Sequence, residues 1–215
     1  SDVFTGLFAL SAILAALRHA DHTGLGQHLD LALLDSQLAA LVNVASSTLV
    51  SGQPAARFGN AHPNLVPYQL FHASDGAFTV GVGNDRQFAA LCHLVGQPEL
   101  AADSRFATNP ARVAHRADLI PLLQAAFIQQ PAAIWVAGLL AAGVPAGPIN
   151  DVATILHDPH IQARGLIQTI TTADGEPLSV VASPAQFSTT PADIRHPPPT
   201  LGQHTDTILR DELGF

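Results

Sequence analysis

Two groups of polar residues in this sequence could do chemistry. The first is one carboxylate, Asp2, standing in front of the long apolar run Val3 to Leu17. An acidic residue at a helix start is favoured by the helix dipole and by the unpaired first-turn amides. A cap or first-turn aspartate therefore accounts for it. The same placement also holds a carboxylate on a rigid helix end, available as nucleophile or base. Residue type and position leave both readings open. The second group is Asn60, His62 and Asn64, inside the stretch Arg57 to Tyr68. This stretch carries two prolines and no hydrophobic period, and it is too long for a simple connector. Loops of this length are often functional, although its polar groups could equally satisfy the loop's own backbone.

The other polar residues suggest less. His19, His22 and His28 straddle a turn without the Cys or carboxylate companions of a metal site, so no metal is expected. Asp30 and Asp35 flank a passage into a helix, where capping is the default. A lone Gly24-x-Gly26 is weak evidence for a phosphate loop. Arg86 and Gln87 stand at a helix start and read as surface or interface residues. The single Cys92 rules out an internal disulfide framework, fits a reducing, cytoplasmic setting, and reads as a small core residue. The nine basic residues are all Arg and scattered, and net charge is −8, so nucleic acid is not an expected partner.

The elements that must position these residues follow from periodicity and punctuation. Of 215 residues, 47% are hydrophobic and only 12% charged, enough for a sizeable core and a surface with much neutral or apolar area. A buried oligomer interface is one natural explanation. Helix 1 is expected over about residues 3–20, apolar all round and therefore covered on every side. Its apolar run is short for a membrane span and lacks the basic flank of a signal peptide, so a buried helix and no membrane are expected. A short strand from His28 should pass into a second helix over 33–51. Tyr68 to Ala73 and Ala77 to Gly83 read as a hairpin turning at Ser74-Asp75-Gly76. Asp85 should cap a helix through Val95, with further helices over about 112–128 and 131–142. Asp151 and Asp158-Pro159 open two short helices. A second hairpin is expected from 165 to 181, then a proline-rich arm, 184–199, and a closing helix, 202–213. Residues 67–150 thus read as a compact α+β unit. The chain contains no Met, so it is expected to be a processed product or part of a longer polypeptide.

Several blocks in order resemble one family, the class III CoA transferases or CaiB/BaiF family. They are Ser1-Asp2-Val3-Phe4-Thr5-Gly6-Leu7, Gly24-Leu25-Gly26-Gln27-His28-Leu29-Asp30-Leu31, and Gly59-Asn60-Ala61-His62-Pro63-Asn64. Gly81-Val82-Gly83-Asn84-Asp85-Arg86-Gln87-Phe88, Ala142-Gly143-Val144-Pro145-Ala146-Gly147-Pro148-Ile149-Asn150 and Pro199-Thr200-Leu201-Gly202-Gln203-His204-Thr205 complete the series. Each is weak alone; their order along nearly the whole chain makes the match specific.

The resemblance implies an α/β fold in the interlocked homodimer of that family. Residues 1–52 would be the helical part of the large domain, 53–66 a linker and active-site loop, 67–150 the small α+β domain, and 151–215 a linker, hairpin and return segment. Asp2 matches the family's catalytic Asp. Asn60, His62 and Asn64 fall where some members carry a glycine-rich active-site loop, and are the expected substrate-binding residues. No cofactor is bound permanently; the CoA thioester is a substrate, and the partners are an acyl-CoA and a small carboxylic acid. The family's Rossmann-like half, which supplies most CoA contacts, has no counterpart in these residues. Within the family an α-methylacyl-CoA racemase, using the matching Asp with a His for proton transfer, is the alternative enzyme. A non-catalytic dimerising fragment is the alternative outside enzymology.

Overall fold

The computed structural model describes residues 1–215 and groups them into two units, Ser1–Pro63 and Asn64–Phe215. The mixture of helices and small antiparallel sheets is the α/β class expected.

The first unit is helical. α1 (Asp2–Thr23) ends at Gly24, whose φ of 72° lets its N–H close on the Ala20 carbonyl. α2 (Leu33–Ala40) and α3 (Asn43–Ser51) replace the single helix expected over 33–51. The two axes bend by 81°. The break falls at Val42, which takes φ 45°, a conformation that a β-branched residue adopts only under strain. Residues 25–32 form no strand: both sheets lie beyond this unit, and a strand without a neighbour has no ladder to join.

α1 buries none of its residues, so the expectation of a helix covered on every side is not met within this chain. Its apolar residues lie on every face, and 63 residues of mostly helical chain cannot cover them all. The only buried residue in the unit is Ser36, whose hydroxyl donates to the Ala32 carbonyl at 3.0 Å. At 22 residues, α1 is also long and apolar enough to cross a bilayer by length and composition, which corrects the reading of this run as too short.

The second unit has a closed core. β1 (Tyr68–His72), β2 (Ala77–Gly81) and β3 (Ala146–Pro148) form an antiparallel sheet in that order, with Phe71 opposite Phe78. Against it pack α4 (Asp85–Leu94), α5 (Asn109–Ala114), α6 (Arg116–Phe127) and α7 (Ala132–Ala141). The helix expected over 112–128 is thus two helices, hinged at His115. The Phe127 ring is the hub, 4.9 Å from Phe71, 5.1 Å from Phe78 and 5.3 Å from Trp135, tilted or edge-on in each case. The indole N–H of Trp135 donates to the Phe127 carbonyl at 2.7 Å. Cys92 is fully buried, as expected of a small core residue, and desolvation pushes its thiol up to about 12 even though Arg112 opposes the shift.

Beyond the core, α8 (Val152–Leu156) and α9 (Pro159–Ala163) are capped by Asp151 and Asp158 as expected. β4 (Ile167–Thr171) and β5 (Pro177–Val181) make the second hairpin. The closing helix shrinks to a wide turn, Thr207–Glu212, in which the Leu213 N–H reaches back five residues to Ile208.

Candidate active site

Asp2 is the first helical residue of α1, and Ser1 occupies the N-cap without a side-chain cap bond. The helix therefore takes the aspartate as a first-turn residue. Its carboxylate is exposed and accepts one long hydrogen bond, 3.4 Å, from the Ser1 hydroxyl. The Thr5 amide and hydroxyl both donate to the Ser1 carbonyl, at 2.9 and 3.0 Å, and close the turn beneath it. The amides ahead of Thr5 have no intrahelical carbonyl to reach. The first turn thus combines an exposed carboxylate with backbone donors, the two ingredients of nucleophilic attack with charge stabilisation.

Asn60 and His62 lie in one short segment of the first unit. A turn from Phe58 to Ala61, closed by the Ala61 N–H on the Phe58 carbonyl at 3.0 Å, carries Asn60. Gly59 takes φ 60° in that turn, which explains the glycine ahead of Asn60. Asn60 is exposed and His62 half-buried. Asn64 opens the second unit, exposed, one peptide after Pro63. A cleft of about 420 Å³ in the first unit is lined by Phe8, Ala12, His28, Asp30 and Asp35 among others, and includes none of Asp2, Asn60 or His62. No group of three His, Cys, Asp or Glu side chains is arranged to hold a metal ion.

The segment after Asn64 is held by side chains more than 40 positions away in sequence. The Asn109 carboxamide donates to the Asn64 carbonyl at 2.8 Å and accepts from the Val66 N–H at 3.2 Å. Arg112, one turn along α5, is completely buried. Its guanidinium donates to the carbonyls of Val66 and Phe106, at 2.7 and 2.8 Å, and to Asp85 Oδ1 at 2.8 Å. It also lies 4.3 Å over the Phe88 ring. Arg112 is therefore committed to the fold, enclosed where a CoA phosphate does not reach. Arg105 is similarly engaged by Asp103, whose carboxyl is held below its usual range chiefly by that hydrogen bond.

Gln87, expected to be a surface or interface residue, is instead a half-buried bridge. Its carboxamide accepts from the Gly83 N–H at 2.8 Å and donates to the Gly143 carbonyl at 3.1 Å. Gln124 clamps both backbone groups of His72 in the same manner, at 3.0 and 2.8 Å. Asn84, one residue before the Asp85 expected there, caps α4 by accepting from the Gln87 N–H. The sequence signal for such clamps is faint: a carboxamide at the edge of an apolar helix face.

The profile of CoA-transferase family III matches residues 1–205. A succinate–glutarate CoA-transferase of Agrobacterium fabrum is 41% identical over 98% of this chain, which covers 53% of that protein. The human succinyl-CoA:glutarate CoA-transferase is 37% identical over the whole chain, which covers 49% of it. Among solved structures, a CaiB/BaiF family protein from Brucella suis is 43% identical, with a TM-score of 0.75 over 97% of this chain and 54% of its own. This chain spans about half the length of these relatives.

Proposed function

The chain belongs to CoA-transferase family III, and from that premise we propose that it forms part of an enzyme that moves CoA from an acyl-CoA to a free carboxylic acid. The observation that carries the proposal is the 41% identity, over 98% of the chain, to a succinate–glutarate CoA-transferase. Several relatives are named for succinyl-CoA, which supports succinyl-CoA as donor and a short dicarboxylate as acceptor.

Asp2 is the proposed nucleophile. Its carboxylate attacks the thioester carbonyl and expels the CoA thiolate, leaving an acyl–aspartyl anhydride. The thiolate attacks the Asp2 carbonyl, releases the donor acid and forms an aspartyl-CoA thioester. The acceptor carboxylate attacks that thioester, expelling the thiolate again. The thiolate then takes the acceptor's acyl group and frees Asp2. Overall one CoA thioester is exchanged for another of similar energy, so no ATP is required. Covalent catalysis here divides one exchange into smaller steps. In this proposal the unpaired amides of the first turn of α1 stabilise the charge that develops on an oxygen next to Asp2. Asn60, His62 and Asn64 are the proposed acceptor-binding groups. The exposed apolar faces of α1 are read as covered, in the working enzyme, by the remaining half of the family fold and by a second copy in a homodimer.

The test uses the full-length protein incubated with succinyl-CoA and then hydroxylamine, with peptides mapped by mass spectrometry. A hydroxamate on Asp2 is expected, together with a loss of transfer of at least about a thousandfold in Asp2→Asn at unchanged fold. Transfer retained in that variant removes Asp2 from the mechanism. Exchange of an α-proton in a branched acyl-CoA, without an adduct, overturns CoA transfer in favour of epimerisation.

A further inference from the structure

We infer that Asn109 is a positioning residue for acceptor binding, acting through the main chain of Asn64. The inference rests on the proposed role of Asn64 and extends it to a residue distant in sequence.

Asn64 is exposed and follows a proline, in a stretch without regular structure. A side chain there can present a defined amide to a substrate only if its backbone is fixed. The fixing comes from the first turn of α5. Asn109 grips two points of the segment at once, donating to the Asn64 carbonyl at 2.8 Å and accepting from the Val66 N–H at 3.2 Å. Asn109 is the first residue of α5, where Pro110 sets the first turn and the Thr108 hydroxyl accepts a long hydrogen bond, 3.4 Å, from the Ala111 N–H. The Arg112 guanidinium pins the carbonyl of Val66 from inside the core. The segment 64–66 is therefore tied to the core on one side while Asn64 remains at the surface. A carboxamide suits this task because one planar group is both donor and acceptor, with no charge to repel an incoming carboxylate.

The structure also supplies a control. Gln124 makes the same paired clamp, on the N–H and carbonyl of His72, and is half-buried like Asn109. The strand it clamps carries none of the proposed substrate residues. Removing either clamp leaves main-chain groups to be satisfied by water, so the two losses of stability should be similar. Only the Asn109 clamp should affect the acceptor.

The experiment compares wild type, Asn64→Ala, Asn109→Ala and Gln124→Ala in the full-length protein. It measures melting temperature, KM and kcat for glutarate as acceptor, and the rate of the donor half-reaction with succinyl-CoA read as hydroxamate formation. Asn109→Ala is expected to raise the KM for acceptor roughly five- to tenfold, with the donor half-reaction within about twofold of wild type. Asn64→Ala should raise the same KM, and Gln124→Ala should lower the melting temperature without moving it. If Asn109→Ala lowers only the melting temperature, as Gln124→Ala does, Asn109 is structural and the inference is overturned. If Asn64→Ala leaves the acceptor KM unchanged, the role of Asn64 falls and the inference with it, while transfer by wild type keeps the CoA-transferase reading intact. Wild-type protein that transfers no CoA overturns that reading first.

Discussion

α1 and α4 are both rich in apolar residues, yet one buries nothing and the other anchors a core. α4 places Phe88, Leu91 and Cys92 on one stripe and leaves Arg86 and His93 outside it. α1 places Val3, Phe4, Leu7, Phe8, Leu10, Ile13, Leu14 and Leu17 around its whole circumference, each about half exposed or more. A stripe can be covered by one neighbouring layer, and the sheet β1–β3 with α6 and α7 provides it. A helix that is apolar on all sides needs cover on all sides. Apolar content alone therefore does not decide whether a helix contributes to stability within a chain; the match between its pattern and the available partners does.

The largest expected effect tests how far the second unit's core depends on its one buried charge. Arg112 satisfies two carbonyls and Asp85 from a position with no solvent exposure. Removing it strands the Val66 and Phe106 carbonyls and opens a cavity beside Phe88. Arg112→Ala should cost about 3–5 kcal/mol in chemical denaturation, from the two stranded carbonyls and the cavity together. Arg112→Lys should recover little of this, because one ammonium cannot reproduce the planar fork that reaches three acceptors. A cost below about 1 kcal/mol in Arg112→Ala would break the contrast, since the second unit would then hold together on apolar packing alone.

A smaller effect uses pH to report on the same interior. The Cys92 thiol titrates near 9.0 when solvated and is pushed up to about 12 in the fold, first by desolvation. The unfolded chain therefore releases a proton that the folded chain keeps. The associated stability is fully present below pH 9 and is lost progressively as pH rises toward the folded value. The expected loss is roughly 1.4 kcal/mol between about pH 8 and pH 10. Denaturation midpoints across that range should fall in wild type and fall less steeply in Cys92→Ala. Equal slopes in the two proteins would mean that the thiol is not enclosed.

How much of this could be read from sequence divides along the same line. Signals that act within a few residues are legible. Asp151 and Asp158-Pro159 start their helices, Asp75-Gly76 turns the first hairpin, and Cys92 lies in the core. Signals that act across the chain are not. Asn109 and Arg112 reach back 43 and 46 positions to Val66, and nothing in their own neighbourhood announces it. The bend at Val42 and the missing strand at residues 28–31 are failures of the same kind, because each depends on what lies alongside rather than on what lies next in sequence. For the candidate site, the placement of Asp2 in a first turn follows from residue type, whereas its proposed role, and those of Asn60, His62 and Asn64, come from resemblance. A carboxylate at a helix start has the same local geometry whether it caps or reacts.

The smallest expected effect is the one that most sharpens the comparison of helices. Leu10 and Leu14 of α1 are 55% and 59% exposed in this chain. Replacing either with Gln in the 215-residue chain exchanges one well-solvated helix former for another, so stability should change by no more than about 0.5 kcal/mol. Solubility should rise, because an apolar patch is interrupted. The same substitution in a protein of the relatives' full length is expected to behave differently, since the proposed cover over α1 would then be present. Burying a leucine fully is worth about 1.5–3 kcal/mol, and a glutamine in its place adds an amide needing a partner. A loss of about 3 kcal/mol is expected there. Parallel denaturation of the two lengths of chain measures the difference directly. A neutral outcome in both would mean that α1 keeps its apolar surface open to solvent even in the longer protein. The contrast between α1 and α4 would then lie in the helices themselves, with no missing partner behind it.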